Sequence, residues 1–488
     1  MRCWNSHKSI LVSAVILLFL WSCKKDIPKN PEKPGLERSQ EQLVKDSVYF
    51  FYKLYSLWSD GDIPTAEEAI AYSEKFDSPL SLLNTLKSAT PFHLGYQSGI
   101  DRFSHMEDIR NGDQADFRMD ADRGFGLFLS IGAVSEDRAY PVVYFVDGGS
   151  PADLNGIKRS DVILEIDGYG DMGIDVECGS SSCQVVDSDH YQKLIDNLLA
   201  AMQRNEMQLT LLRADETEST INLSSSHYTV EPIIKHSVFS YPAKNIGYLA
   251  LSSFEDVSEG SVNRQEFENV FEEFEQNQIN DLVVDLRYNT GGFVNAAEYL
   301  ANKVINGAGD RALMYSYALN EYLFAHPNVA VASFDDVYFH RNNSLDLKTV
   351  YFLVTDITAS ASELLINVLK PYMNVVVIAE NQSTYGKPVG FFKQDIMNHT
   401  SLWVASFKLV NAAGVTDYWD GIAADKTNIT DYIFRDFGDV EEPMLAAAIT
   451  DAVGTSANGN ISARAFRVEQ PKKHRLGVVN AVKSREML

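Results

Sequence analysis

The sequence predicts an α/β multidomain protein, and three patterns lead to this fold class. At 488 residues the chain is longer than one hydrophobic core usually supports, so several domains are expected. Residues 37–90 carry apolar side chains at three- and four-residue spacing, which is typical of amphipathic helices. Residues 120–225 contain short strand-like segments, and residues 240–450 alternate strands with helices, which favours a mostly parallel sheet in that last region.

The charge composition of the chain limits the kinds of molecule that it can bind. The chain is 45% hydrophobic and 22% charged, with a formal net charge of -25. This excess of acidic groups argues against nucleic acid or an anionic membrane surface as the main partner. Residues 456–488 differ, because from Arg464 onward they carry seven Lys and Arg residues against two Glu residues. With few apolar residues, this basic tail is predicted to be disordered.

The first residues are typical of an export signal. Arg2 and Lys8 precede an apolar run, Ile10 to Trp21, which is too short to span a bilayer but suits a signal peptide. The run ends in Leu-Trp-Ser-Cys23, which resembles the lipobox of bacterial lipoproteins and implies that Cys23 receives lipid. The alternative is an ordinary signal peptide with an incidental cysteine. We expect residues 1–22 to be the signal, 23–36 a proline-containing tether, and the protein to be lipid-anchored in the cell envelope, outside the cytoplasm.

Two further cysteines, Cys178 and Cys183, form a C-x4-C pair. Two thiols without a neighbouring histidine or second cysteine pair make a poor metal site. In an exported protein a small disulfide-closed loop is the better interpretation. No metal ion or organic cofactor is implied by the sequence.

The middle of the chain resembles a PDZ domain. The stretch GSPADLNGIKRSDVILEIDG (149–168) carries this resemblance, which extends over residues 116–228, after a helical region at 37–115. The resemblance implies peptide binding by strand addition, with the loop Gly124, Phe125, Gly126 and Leu127 holding a terminal carboxylate. The peptide would lie between strand Leu127–Ile131 and the helix His190–Met202. The alternative is a domain that serves only as a spacer or gate.

The third region, residues 229–455, places candidate catalytic groups after three predicted strands. Gly291 and Gly292 follow strand 282–286, Ser360 follows strand 350–354, and Lys387 follows strand 375–378. The carboxyl ends of parallel strands share one edge of a sheet, where ligands bind. Ser360 would also begin a helix, whose free N–H groups favour a developing oxyanion.

A serine hydroxyl needs a base to become a nucleophile. The chain contains no G-x-S-x-G motif, and its ten histidines form no recognisable triad motif. A lysine can serve if burial lowers its pKa by roughly three units from about 10.4. The apolar neighbours of Lys387 suit such burial. Taken separately, each feature has a simpler interpretation: Ser360 as a helix cap with Glu363, Lys387 as a solvated loop lysine, and residues 289–292 as a turn.

Five stretches together resemble the tail-specific, or C-terminal-processing, serine peptidases: DRFSHME (101–107), DLRYNTGG (285–292), TASASELLINVL (358–369), TYGK (384–387) and GIAAD (421–425). The resemblance implies that Ser360 is the nucleophile and Lys387 the base of an acyl-enzyme endopeptidase. The Ala361 N–H and one N–H of Gly291 or Gly292 would form the oxyanion hole. Proteins or peptides with exposed C-terminal tails would be the substrates.

Two departures from that family pattern keep a second hypothesis open. Phe391 stands where the family usually has a glutamine that orients the lysine, with Gln394 as the nearest replacement. The loop before Lys387 is also two residues longer than is usual in the family. The alternative is a non-catalytic peptide-binding or scaffolding lipoprotein derived from such a peptidase.

Overall fold

A computed structural model describes residues 38–59, 63, 69–96, 99–109, 121–179, 182–242, 244–326, 334–454 and 475–479. The predicted signal peptide, the tether and Cys23 lie outside these residues. Within the described ranges, no helix is long and apolar enough to cross a membrane. The same residues contain no cluster of His, Cys, Asp and Glu side chains that could hold a metal ion.

The N-terminal region consists of three helices and one strand: α1 (Gln40–Tyr55), α2 (Ala69–Ser73), α3 (Pro79–Ser88) and β1 (His105–Asp108). Ser39 caps α1, because its side chain accepts a hydrogen bond from the Gln42 N–H at 3.2 Å. The buried stripe of α1, with Val44 and Val48 at its start, packs against Leu402 and Val404. The region predicted to be helical, 37–115, also contributes a strand, since β1 pairs with Thr400–Trp403, about 295 residues further along the chain.

Residues 121–228 form a β-rich unit with one long helix, called here the PDZ-like region. Its elements are β2 (Ala121–Gly124), β3 (Leu127–Ala133), β4 (Arg138–Val146), α4 (Pro151–Leu154), β5 (Val162–Ile166), β6 (Ile174–Cys178), β7 (Cys183–Val185), α5 (Ser188–Met202), β8 (Glu206–Leu212), β9 (Glu218–Ser224) and β10 (Ser226–Tyr228). The strands β3-β4-β5-β8-β9 pair in that order. Leu194 and Leu198 of α5 pack in the core of this unit with Leu129 and Ile163. A disulfide joins Cys178 and Cys183 across the β6–β7 hairpin.

The third region contains two sheets. Its elements are β11 (Ile233–Tyr241), β12 (Lys244–Leu251), α6 (Val262–Gln276), β13 (Asp281–Asp285), α7 (Val294–Val304), β14 (Leu313–Leu319), α8 (Glu321–Ala325), β15 (Val337–Tyr338), β16 (Thr349–Val354), α9 (Ala361–Leu369), β17 (Asn374–Ala379), β18 (Val389–Ile396), β19 (Thr400–Asn411) and α10 (Pro443–Val453). The main sheet has the order β11-β12-β13-β16-β17, and the second has the order β1-β19-β14-β15, with β18 paired to β19.

Strand register in the main sheet decides where the candidate groups lie. The strands β12, β13, β16 and β17 are parallel, and only β11 is antiparallel. Asp285, Leu353 and Ile378 lie in one row across β13, β16 and β17. The loops that follow these strands therefore leave the sheet at the same edge, as the sequence predicted for a parallel sheet.

Helices cover both faces of the main sheet. Phe271 of α6, Leu300 of α7 and Leu365 of α9 pack on one face, in one apolar cluster. Leu445 and Ile449 of α10 pack on the other face. Phe128 and Phe145 of the PDZ-like region belong to that second cluster. The PDZ-like region therefore shares a continuous apolar core with the α10 side of the main sheet.

One short strand, β20 (Arg475–Val479), pairs antiparallel with β3 of the PDZ-like region. The sequence analysis predicted disorder for the whole basic tail at 456–488. For residues 475–479 this prediction was wrong, because the free edge of β3 offers backbone hydrogen-bond partners that composition cannot register. The rest of the tail beyond Gly454 lies outside the described residues.

A buried group of charges fixes the end of β13. The side chain of Arg287 is 1% exposed and binds both oxygens of Asp285, at 3.0 and 2.7 Å. The same guanidinium contacts Asp431 at 2.8 Å and Glu442 at 3.0 Å. Arg159 of the PDZ-like region reaches Asp431 as well, at 2.7 Å. These ion pairs join β13, the segment before α10 and the PDZ-like region.

We expect Arg287→Met to lower the free energy of unfolding by about 3–5 kcal/mol, because three buried carboxylates would lose their shared cation. The urea midpoint of the full chain measures this loss. The matched control is Lys348→Met, whose exposed ion pair with Asp346 should contribute less than about 1 kcal/mol. Equal midpoints for the two variants would contradict the prediction.

Candidate active site

Ser360 lies between β16 and α9 in a backbone conformation that non-glycine residues rarely adopt. Its φ is 57° and its ψ is -116°. Such a conformation costs free energy and persists only where surrounding contacts hold it. One such contact is the Ser360 N–H, which donates to the Glu363 carboxylate at 3.0 Å. The Ser360 side chain is half-buried at the edge of the sheet.

The buried carboxylate of Glu363 connects the serine to the lysine loop, defined here as residues 380–388. Its Oε2 accepts hydrogen bonds from the N–H of Ser360 at 3.0 Å and the N–H of Lys387 at 2.8 Å. Its Oε1 accepts from the N–H of Gly386 at 2.7 Å and from the Thr384 hydroxyl. Because one oxygen binds both amides, the Ser360 and Lys387 nitrogens lie within 5.8 Å of each other.

Burial and hydrogen bonding act in opposite directions on the Glu363 carboxyl. Burial raises its pKa, whereas the hydrogen bonds from Thr384, Lys387, Gly386 and Ser360 lower it. The sequence analysis assigned Glu363 only to a helix cap and missed its contacts with the lysine loop. The available signal was its place in α9, where an acidic residue stands in an otherwise apolar stretch and every residue is buried.

The side chain of Lys387 is enclosed by the protein. The residue is 2% exposed, and burial lowers the pKa of its amine to about 7, although the charge of Glu363 acts to raise it. The Nζ atom lies 4.7 Å from the centroid of the Phe391 ring. Phe391 in turn packs in an apolar cluster with Phe103, Val389 and Trp419. Lys387 is therefore not the solvated loop lysine of the simpler interpretation.

Gln394 does not take the place of the missing glutamine. From Phe391 onward, β18 pairs with β19 in regular register, with Phe391 opposite Ala405 and Gln394 opposite Leu402. Residues three apart on a strand point to opposite faces. Phe392, on the same face as Gln394, packs against the α1 cluster. The suggestion that Gln394 replaces the glutamine therefore fails, because its side chain faces away from Phe391 and Lys387.

Gly291 and Gly292 lie in the loop after β13 with φ values of 115° and 137°. A Cβ on Gly291 would lie 2.7 Å from the Ser360 Cβ, and a Cβ on Gly292 would overlap the Phe254 backbone. The Gly291 N–H already donates to Asn289 Oδ1 at 2.9 Å. In the described part of the chain, the N–H groups of Gly292 and Ala361 have no hydrogen-bond acceptor. Ala361 is the first residue of α9, where such a free N–H is expected.

Arg102, in the N-terminal region, holds the lysine loop from outside the sheet. Its guanidinium donates to the carbonyls of Tyr385 at 3.2 Å and Gly386 at 3.0 Å. It also stacks on the rings of Tyr96 and Tyr385, at 4.3 and 4.4 Å from their centroids. The sequence analysis gave this region no part in the site, because the contact joins residues almost 300 positions apart.

The residues predicted to bind a peptide carboxylate belong to a different sheet from Ser360. Gly124 and Leu127 lie at the ends of β2 and β3, with Phe125 and Gly126 between them. The Phe125 carbonyl accepts from the Ala152 N–H at 2.9 Å, and the Gly126 carbonyl accepts from the Asp147 N–H at 2.9 Å. The loop is therefore fixed against the segment before and within α4, at the start of the β3 edge with which β20 pairs.

Comparison with known proteins gives a consistent picture. Residues 245–426 match the model of peptidase family S41. The chain is 23% identical over 289 residues to the chloroplastic C-terminal processing peptidase of Tetradesmus obliquus, covering 57% of this chain and 54% of that protein. It is also 23% identical over 308 residues to the carboxy-terminal processing protease CtpA of Bacillus subtilis, covering 62% of this chain and 57% of that protein. The chain thus spans about half the length of these curated relatives.

A solved structure shows the same fold. The crystal structure of a Bacteroides fragilis protein described as a candidate S41 protease superposes with a TM-score of 0.61 at 21% identity. The match covers 84% of this chain and 97% of that one. The mixed α/β fold is therefore that of an S41 protease structure. The match to the family model lies in residues 245–426, and the solved structure shows the same fold around that segment.

Proposed function

We propose that the chain is a serine endopeptidase that captures protein C-terminal tails through the PDZ-like region and hydrolyses peptide bonds with Ser360 and Lys387. The observation that carries the proposal is the buried lysine with a pKa of about 7. Glu363 ties its backbone to that of a strained serine at the edge of the sheet. The match of residues 245–426 to a peptidase family and the likeness to C-terminal processing proteases support the same reaction.

In the proposed first step, the Ser360 hydroxyl attacks the carbonyl carbon of the scissile bond while the neutral Lys387 amine takes its proton. The resulting ammonium group then protonates the leaving amine as the C–N bond breaks, which leaves an acyl-enzyme ester on Ser360. In the second half, a water molecule loses a proton to the amine and attacks the ester. Release of the acid then returns the proton to the serine oxygen.

The oxyanion of both tetrahedral intermediates needs donors next to Ser360. We assign these donors to the N–H of Ala361 and the N–H of Gly292. The Gly291 N–H is engaged by Asn289 at 2.9 Å, so Gly292 is the better candidate of the two glycines. The N-terminal end of α9 adds a favourable dipole for the negative charge.

Phe391 supports the proton-acceptor role of Lys387 in a different way from a polar side chain. A glutamine would orient the amine through a hydrogen bond, whereas the Phe391 ring, 4.7 Å from Nζ, excludes water from that side. Exclusion of water disfavours the charged amine and lowers its pKa. The positive charge would be attracted to the ring face by about 0.5–2 kcal/mol, which is smaller than the desolvation cost.

The second candidate is a non-catalytic peptide-binding or scaffolding protein. Phe391 in place of the expected glutamine motivates it, together with the longer lysine loop. The buried amine, whose pKa is lowered to about 7, favours the peptidase, because a binding protein has no need of a lysine that loses its proton near neutral pH.

Location in the cell envelope through lipid on Cys23 is part of the same proposal. It rests on residues 10–23 of the sequence alone. A lipid anchor would hold the enzyme near envelope proteins with exposed tails.

Replacement of either proposed catalytic side chain should remove activity. We expect Ser360→Ala and Lys387→Ala each to lower kcat/KM on a peptide with a free apolar C-terminus by at least ~1000-fold, measured by mass spectrometry of the products. Lys387→Arg should be equally inactive, because arginine does not lose its proton at neutral pH. The control is Lys348→Ala, which removes the exposed ion pair with Asp346. Full activity of either alanine variant would rule out the assignment.

The pH dependence follows from the pKa of about 7 at Lys387. The working form of the base is the neutral amine, so kcat/KM should rise about tenfold per unit below pH 7 and level off above it. Binding of the same peptide to Ser360→Ala provides the control and should not follow this curve. A rate that falls as the pH rises from 6 to 8 is the opposite result and would exclude Lys387 as the base.

The buried amine should also destabilise the fold at neutral pH. Its pKa is lowered from 10.5 to about 7 in the folded chain, so between these values the unfolded chain binds the extra proton. Stability therefore rises with pH over this range, and near pH 7 the penalty is about 4 kcal/mol. We expect Lys387→Met to raise the urea midpoint far more at pH 7 and below than near pH 10.

Lys348→Met, at an exposed position, is the control. The difference between its urea midpoint and that of the parent chain should not change with pH in this way. A Lys387→Met variant that gains no stability at pH 7 would show that the amine is hydrated.

A further inference from the structure

The strand β20 occupies the edge of β3 to which the proposed function assigns substrate tails. Val479 lies opposite Leu129, Val478 opposite Ser130 and Gly477 opposite Ile131. The same strand also contacts α5, the helix that faces this edge. The chain's own tail therefore lies in the position that the sequence analysis predicted for a bound peptide.

The direction of β20 also matches that of the predicted ligand. Because the pairing is antiparallel, the chain runs from Arg475 to Val479 towards the start of β3. The loop Gly124–Leu127, which would hold the carboxylate of a bound tail, lies at that end. A substrate tail with its terminus in this loop would follow the same path in the same direction.

We propose that residues 475–479 are an internal ligand of the β3 edge, which competes with substrate tails for the PDZ-like region. The proposal rests on the proposed function for the identity of the displaced ligand. A strand has two hydrogen-bonding edges, and β4 fills the other edge of β3 from Leu127 to Ala133. Tail and substrate therefore cannot pair with β3 over the same residues at the same time.

Tethering makes this competition effective. The segment between the end of α10 at Val453 and the start of β20 at Arg475 contains 21 residues. Such a connection can extend to about 70 Å, and a tether that spans its two sites gives an effective concentration in the ~mM range. A tail segment with an intrinsic dissociation constant of ~100 μM would therefore occupy the edge most of the time.

Charge favours the same contact. Residues 121–228 contain 18 acidic and 7 basic side chains, whereas residues 464–488 contain 7 basic and 2 acidic ones. Opposite net charges draw the tail towards the PDZ-like region and strengthen its binding at low salt. The acidic PDZ-like region is therefore an electrostatically suitable partner for the basic tail.

A substrate tail could also displace residues 475–479 from the edge of β3. At least nine residues follow Val479 in the sequence, so the segment enters the edge as internal chain and not through a free carboxylate beside Val479. A substrate tail that ends in the Gly124–Leu127 loop would add an interaction with its carboxylate there. Substrates with a free C-terminus would accordingly displace the tail better than internal sequences of similar composition.

A peptide-binding experiment on the full chain tests this competition without catalysis. The probe is a fluorescein-labelled synthetic peptide with the sequence of residues 470–482, measured by fluorescence anisotropy on the Ser360→Ala chain. The test variant adds Gly477→Pro and Val478→Pro. Successive N–H groups on a strand point to opposite sides, so one of the two prolines removes a donor that faces β3.

We expect the double-proline variant to bind the probe at least ~10-fold more tightly than the Ser360→Ala parent, because its own tail no longer competes. The matched control, Ser462→Pro with Ala463→Pro, changes the tail outside the paired segment and should bind like the parent. Equal affinities for the parent and the test variant would overturn the proposal. Absence of binding to both would overturn it as well.

A disulfide cross-link provides a second measurement. Residues directly opposite each other in an antiparallel pair lie close enough for a disulfide, so Ser130→Cys with Val478→Cys should cross-link in the Ser360→Ala chain. The cross-linked chain should not bind the probe until it is reduced, and Ser130→Cys with Ser462→Cys should not form the bond. Failure to cross-link would count against the pairing.

These readouts do not depend on Ser360 or Lys387. If the catalytic variants keep their activity, the peptidase proposal fails and the competition result still stands. If the probe experiments fail while the catalytic predictions hold, only the competition is wrong.

Discussion

The site depends on one buried carboxylate, that of Glu363. It accepts hydrogen bonds from the backbone of both Ser360 and Lys387, so the turn before α9 and the lysine loop are fixed to the same two oxygen atoms. Without an acceptor there, three buried N–H groups and a hydroxyl would lose their partners, each at a cost of about 1–3 kcal/mol. The backbone conformation at Ser360, which is unfavourable by itself, is supported by the hydrogen bond from its N–H to this carboxylate.

Two opposing requirements meet at Lys387. The amine must be dry enough to be neutral near pH 7, yet it must stay close to the negative charge of Glu363. The apolar side chains around Phe391 supply the first condition, whereas the charge of Glu363 acts to raise the pKa of the amine. Arg102 fixes the loop by binding two backbone carbonyls and stacking on aromatic rings. The guanidinium group therefore adds a second positive charge near the site, and its hydrogen bonds go to those carbonyls.

The PDZ-like region is connected to the catalytic sheet by more than a linker. Arg159 contacts Asp431, which also binds Arg287 at the end of β13, and the glycine-containing loop begins just after Arg287. An apolar cluster shared with α10 reinforces this connection. The edge of β3, the strand β20 that pairs with it and the loop beside Ser360 are therefore parts of one packed structure. The proposed peptide-binding edge and the proposed nucleophile belong to separate sheets.

The sequence by itself determined the order of the elements and the residues at the strand ends. Short apolar segments between turns predicted β13, β16, β17 and α9, and the family resemblance pointed to Ser360, Lys387 and the two glycines as candidate catalytic residues. Only the tertiary structure decided that Glu363 binds the lysine loop, that Gly291 donates to Asn289 and that Arg102 and β20 reach distant partners. Most of these contacts join segments that are far apart in the chain. Burial and hydrogen-bond geometry determine which groups meet there, and local sequence patterns carry no information about them.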